Sequence, residues 1–151
     1  MTGMTYCKKA EINTKLTEKI KDHAAKTYPY ECCGILLGRQ NEDGTVTVTD
    51  IRKSANMIKG TDGGICFEID PLEIYRLEKE TEGSTSGIIG FYHSHPDKMA
   101  VLSKDDRESM LPGLLYVLVS VYPSGCRDIS AWSKTGGTIK QTDLSAPLLQ
   151  R

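Results

Sequence analysis

The chain has 151 residues, with 19 basic against 20 acidic side chains and a formal net charge of -1. That length fits one domain, able to bury roughly two-thirds of its unfolded surface, and the charge balance excludes the basic stripe of a nucleic-acid or anionic-membrane surface. The opening "MTGMTYCKKAEINTK" lacks the apolar region of a secretory signal, and the longest apolar run, Leu114 to Val119, is too short to span a bilayer. Five cysteines, with Cys32 and Cys33 adjacent and no CxxC spacing, suit a reducing compartment better than a disulfide framework or a zinc finger. A soluble, cytoplasmic protein is expected.

Leu16, Ile20 and Ala24 recur at the spacing of one buried stripe and predict a helix from about Asn13 to Lys26, ended by Tyr28 and Pro29. "ECCGILLG" from Glu31 and the alternating "TVTVTDI" from Thr45 predict a hairpin about the turn "NEDG". "CFEI" from Cys66 reads as a strand, and Asp70, Pro71 and Glu73 mark the start of a second helix reaching about Thr81. After the breaker "EGSTSG", "IIGFYHSH" reads as a strand and "LLYVLVSV" as a buried central one, with a short helix from Ser103 to about Met110 between them. "DISAWSK" and "TIKQTDL" complete a mixed α/β or α+β domain of about seven strands and three helices. No repeat or linker divides it, so residues 1–151 are read as one domain.

The chemistry gathers in "FYHSHPDKMAVLSKDD", Phe91 to Asp106, which holds two of the three histidines. Residues i and i+2 of a strand share a face, so His93 and His95 can offer two imidazoles to one ion. A catalytic zinc takes three protein ligands and a water. Asp106 is the candidate third ligand, because a loop from Pro96 to Leu102 can turn the chain back beside the strand end. Each piece also has a plainer reading: an incidental HxH, and a Ser103 N-cap whose capping box Asp106 completes. Their occurrence together within so short a stretch favours the metal. Other HxH patterns fail on named residues: HxHxDH at Lys98, the cupin glutamate at Met99 and Ala100, and the deaminase HxE with PCxxC throughout.

His93, His95, seven residues, Ser103, two residues and Asp106, with Glu31 upstream in "YPYECCGILLG", resemble the motif of the JAMM, or MPN-plus, metallopeptidases. The resemblance runs from the first helix to about Trp132. It implies a single JAB/MPN-type domain, core about 10 to 135, whose mixed, mostly antiparallel sheet is flanked by helices in a cytidine-deaminase-like layering. It also implies one Zn2+ ion on His93, His95 and Asp106, with Glu31 as general base toward a water on zinc and Ser103 stabilising the oxyanion. The chemistry is consistent, since zinc lowers the pKa of its water to about 7 and a carboxylate in reach can move the remaining proton. Cys33 should share a strand face with Glu31, where a buried thiol packing like a small apolar residue is the simpler role. His23 is read as a boundary or surface residue of the first helix, and Cys7, Cys66 and Cys126 receive no function.

Compact bacterial members of that family resemble this chain in length. The resemblance therefore implies hydrolysis after the C-terminal diglycine of a ubiquitin-like sulfur-carrier protein, with neither nucleic acid nor membrane as partner; a homodimer is compatible with the sequence. "TVTVTDI", "MIKGTDGGI" from Met57 and "DKMAVL" from Asp97 are the expected flanks of a groove for the carrier's tail, held by strand pairing. Three alternatives stand beside this: a deubiquitinase-like isopeptidase, a DNA-repair or phage-tail relative, and a non-catalytic MPN scaffold. Near-neutral charge weakens the second, and the complete set of motif residues weakens the third.

Overall fold

The computed structural model describes residues 7–57 and 68–146. In chain order these form β1 (Lys9–Ile12), α1 (Thr14–Thr27), β2 (Cys33–Gln40), β3 (Val46–Ser54), α2 (Pro71–Glu80), β4 (Gly87–Pro96), α3 (Lys104–Ser109), β5 (Leu115–Tyr122), β6 (Gly125–Thr135) and β7 (Thr138–Ser145). Local chemistry sets the helix starts. Asn13 Oδ1 accepts the Leu16 N–H at 2.9 Å, Asp70 Oδ1 accepts the Leu72 N–H at 3.0 Å ahead of Pro71, and Ser103 caps α3. The α1 stripe of Leu16, Ile20 and Ala24 is buried as its spacing predicts. Among the described residues, no helix is long and apolar enough to cross a membrane.

The strands close into one barrel in the order β1, β3, β2, β4, β5, β6, β7. Antiparallel pairing joins β2 to β3 and β4, and β6 to β5 and β7, while β4–β5, β1–β3 and β1–β7 are parallel. The mixed, mostly antiparallel character follows the sequence reading, and the sheet also closes on itself into a barrel, a feature that reading did not include. β1 causes the difference. Its four residues carry too short an alternation to be read as a strand, yet Ala10 and Ile12 are buried and the strand bridges β3 and β7. Of the expected "CFEI" strand, Cys66 and Phe67 lie outside the described residues, and Glu68 and Ile69 form no strand.

The central strands are buried on both faces, as a continuous apolar run such as "LLYVLVSV" requires. Leu36, Tyr92, Val117 and Val119 pack with the α1 stripe on one side. On the other, Cys33, Ile35 and Leu37 pack with Leu77 of α2, while Leu118 packs with Leu102 and Met110 around α3. Tyr92 shows how tight the first side is: a Cβ on Gly34 would collide with the Tyr92 ring. The Tyr92 hydroxyl meets His23 Nδ1 at 2.8 Å, so His23 sits at the boundary expected of it, with a partner inside the fold. Alternation along β4 then turns His93 and His95 to the second side, at the end of the strand where the parallel crossover through α3 departs.

Candidate metal centre and active site

His93 and His95 project from the end of β4 and are 2% and 5% exposed. The capping box that starts α3 delivers the third group. Ser103 Oγ accepts the Asp106 N–H at 3.0 Å and Asp106 Oδ2 accepts the Ser103 N–H at 2.9 Å, which fixes the carboxylate over the strand end. His93 Nε2 lies 3.1 Å from Asp106 Oδ1, and His95 Nε2 lies 3.0 Å from Asp106 Oδ2. One nitrogen from each imidazole and a carboxylate oxygen lie within 4.8 Å of one another. The capping box is therefore real, and it also serves to aim a ligand.

Two imidazole nitrogens and a carboxylate form a donor set suited to zinc. A further observation supports that fit. His95 Nδ1 sits 3.0 Å from the Met99 carbonyl, an acceptor only, so Nδ1 carries a proton and Nε2, 3.0 Å from Asp106 Oδ2, is the nitrogen that can be freed to bind an ion. Orientation of this kind is what metal-bound histidines receive from their surroundings. The sequence could not name Met99 for this task, because it contributes a backbone oxygen and any residue type would do.

Without an ion, the three groups balance their charges in different ways. Burial would raise the Asp106 carboxyl, but hydrogen bonds with His93 and His95 carry it well below the usual carboxylate range. Burial also works against a charged His95, but the Asp106 and Met99 bonds outweigh it and its pKa rises; at fully enclosed His93 burial prevails and the pKa falls.

Glu31 stands at the entry to β2. Cys33 pairs with His93, the Cys32 carbonyl accepts the Ser94 N–H at 3.1 Å, and the Cys32 N–H donates to Ser94 Oγ at 2.8 Å. That register carries Glu31 toward His95. Asn56 Nδ2 donates to its carbonyl at 3.2 Å, and the residue is 5% exposed. An ordinary surface acid would not be buried so. Burial pushes its carboxyl up to about 8, with His95 and Lys98 opposing and Asp106 adding to the rise. Such a carboxyl can take and return a proton near neutral pH.

The structure thus brings His93, His95 and Asp106 into contact and places Glu31 in their field. Ser103 is exposed at the rim; its oxygen accepts from Asp106, which leaves the hydroxyl proton available to donate. Cys33 is fully buried among apolar neighbours, its thiol pushed up to about 12 by burial, and behaves as the small apolar residue anticipated.

A second support was not read from the sequence. The Tyr28 hydroxyl donates to both Asp97 carboxylate oxygens, at 2.8 and 3.0 Å, and Asp97 adopts a left-handed φ of 58°. Aspartate is among the few side chains that tolerate that region, so the residue type after HxHP was the available signal.

The family described as prokaryotic homologs of the JAB domain matches residues 13–134. The chain is 29% identical over 134 residues to a desampylase of Haloferax volcanii, covering 88% of this chain and 91% of that protein. Among solved structures, a protein from Desulfitobacterium hafniense superposes with a TM-score of 0.75 at 23% identity, covering 89% of this chain and 90% of that one. A protein from Salinibacter ruber gives 0.68 at 26% identity, with 91% and 92% covered.

Proposed function

Because this chain belongs to the family of prokaryotic homologs of the JAB domain, we propose that it is a zinc-dependent metallopeptidase of the JAMM type. Its substrate is the peptide or isopeptide bond after the C-terminal diglycine of a ubiquitin-like, sulfur-carrier type of protein. The observation that carries this is the convergence of His93 and His95 Nε2 on the Asp106 carboxylate, with the buried carboxyl of Glu31 beside them.

His93, His95 and Asp106 hold the ion, and Met99 and the α3 capping box keep two of those ligands aimed. Bound there, zinc supplies Lewis acidity, acidifying a water and polarising the scissile carbonyl. Glu31, buried beside the ligands, takes the proton from the attacking water and returns it to the leaving amine. The Ser103 hydroxyl donates to the carbonyl oxygen as negative charge develops on it, while Asp106 holds the serine in place.

Kinship with the Haloferax volcanii desampylase supports a ubiquitin-like substrate. A diglycine suits a narrow approach to a metal, since residues without side chains can pass in extended form. β1 pairs with β3 only at Val46, Thr47 and Val48, so among the described residues Thr49–Ser54 has no strand on its outer side. That edge is available to a tail by strand pairing. "DKMAVL" flanks the centre directly through Met99, whereas "MIKGTDGGI" lies outside the described residues apart from Met57. The scaffold alternative gives no role to a carboxyl buried at a stability cost.

The test is intact mass of ubiquitin-like carriers bearing short extensions after their diglycine, incubated with zinc-loaded protein and with its Glu31→Ala variant. Loss of the extension with the wild type alone is expected. Intact carriers throughout, despite one bound zinc, would refute the substrate class; absence of bound zinc would refute the metallopeptidase.

A further inference from the structure

Asp97 follows the HxHP run directly and takes a left-handed φ of 58°, a conformation that glycine enters without steric cost. A carboxylate at such a turn calls for a reason, and the structure supplies one. Both of its oxygens accept from the Tyr28 hydroxyl, at 2.8 and 3.0 Å. Tyr28 is itself fixed: its N–H donates to the Ala24 carbonyl at 3.0 Å at the end of α1, and its ring packs against the core that α1 shares with the central strands. The Asp97 N–H donates to the Val121 carbonyl at 2.7 Å, so the turn is tied both to β5 and, through Tyr28, to α1. Just beyond it the Met99 carbonyl meets His95 Nδ1 at 3.0 Å, and the Ala100 carbonyl accepts from Ser130 Oγ at 2.7 Å. The short arc that orients His95 is thus held at its start by Asp97 and at its end by Ala100.

We infer that Tyr28 is a positioning residue of the metal centre: by holding Asp97 in its left-handed turn, it keeps the Met99 carbonyl on His95 Nδ1 and so keeps Nε2 aimed at the ion. This rests on the metal site of the reading above and adds to it a pair of residues outside its motif. The placement of the bonds carries the argument. β2 and β4 pair as far as Cys33 and His93, and their extensions are joined once more, where Cys32 bonds Ser94 through both its N–H and its carbonyl. His95 lies past that point. Among the described residues, the only hydrogen bonds between 28–31 and 95–99 are those of Tyr28 with Asp97. The same contact therefore also ties the segment that carries Glu31 to the one that carries His95. Without it, rotation about the Asp97 backbone can swing the Met99 carbonyl off the imidazole, and a neutral histidine that loses such an acceptor can carry its proton on either nitrogen. Loss of an outer partner of this kind commonly weakens metal binding by about tenfold or more. Asp97 is exposed, so its bond competes with water and adds little to global stability; the effect is confined to the site. Tyr28 moves no proton in the reaction.

The experiment measures zinc affinity of the full-length protein by chelator competition, which needs no substrate. Wild type is compared with Tyr28→Phe, Asp97→Gly, Asp97→Asn and the Tyr28→Phe, Asp97→Gly double variant. Phenylalanine removes only the hydroxyl, glycine keeps the left-handed turn without a carboxylate, and asparagine keeps both the turn and an acceptor. Tyr28→Phe and Asp97→Gly should each weaken zinc binding on the order of tenfold. The double variant should bind no more weakly than either single one, because both remove the same contact, and Asp97→Asn should stay close to wild type. A contact that served the fold alone would lower Tm and leave the affinity untouched. Wild-type affinity in Tyr28→Phe, or losses that simply add in the double variant, would overturn the inference while the peptidase reading stood. A wild type that binds no zinc would refute that reading, and the inference with it.

Discussion

Replacing Glu31 by glutamine removes a titratable group and almost nothing of its shape, so the cost of burying its charge can be read as a pH dependence. In the metal-free protein burial lifts this carboxyl from an ordinary 4.5 to about 8. The folded state then holds a proton that the unfolded chain has released. The stabilising contribution is complete below 4.5 and is lost as pH rises through about 8, at about 1.4 kcal/mol per pH unit between those values. Across the whole window the loss amounts to several kcal/mol. Glu31→Gln carries no such term, while His95 and Asp106 remain in both proteins. Chelator-treated wild type and variant should therefore unfold in urea with similar free energies at pH 5, and the variant should be the more stable by about 3 kcal/mol or more at pH 8. Stability curves that run parallel from pH 5 to 8 would refute the placement of Glu31 as a buried carboxyl.

Gly34→Ala drives a methyl group into the Tyr92 ring and should cost about 1–3 kcal/mol by overpacking, seen as a lowered Tm in thermal unfolding. Ser130→Ala leaves the Ala100 carbonyl and the Trp132 indole without their shared hydroxyl; a loss of about 1–3 kcal/mol is expected in urea titration. Zinc at a hundredfold excess over its Kd should stabilise the chelated protein by about 2.7 kcal/mol, and His95→Ala or Asp106→Asn should abolish that gain. An equal zinc-induced rise in Tm for Asp106→Asn would remove Asp106 from the ligand set.

The readable parts of this sequence were those in which one residue type serves one geometric need. The α1 stripe, the Asp70–Pro71 start of α2 and the Ser103 cap of α3 all lie where their spacing places them. HxH on a strand and an aspartate three residues past a cap brought His93, His95 and Asp106 together because alternation and the capping box each fix a direction. What escaped notice depends on the backbone or on distant closure. β1 is too short to declare itself, yet it turns an open sheet into a barrel by pairing with two strands far from it in sequence. The orientation of His95 depends on a carbonyl, and the burial of Glu31 depends on what packs around the start of β2. Glu31 could be named from a motif, but its proton affinity comes from the folded surroundings.

The division of labour between ligands and base is tested most directly by the Glu31→Gln protein itself, with zinc content measured by elemental analysis and cleavage of a diglycine-extended carrier by intact mass on the same sample. One zinc per chain with turnover lost places Glu31 in proton transfer and leaves the ion to His93, His95 and Asp106. Zinc lost together with activity would make Glu31 a ligand, and zinc and turnover both retained would remove it from the chemistry.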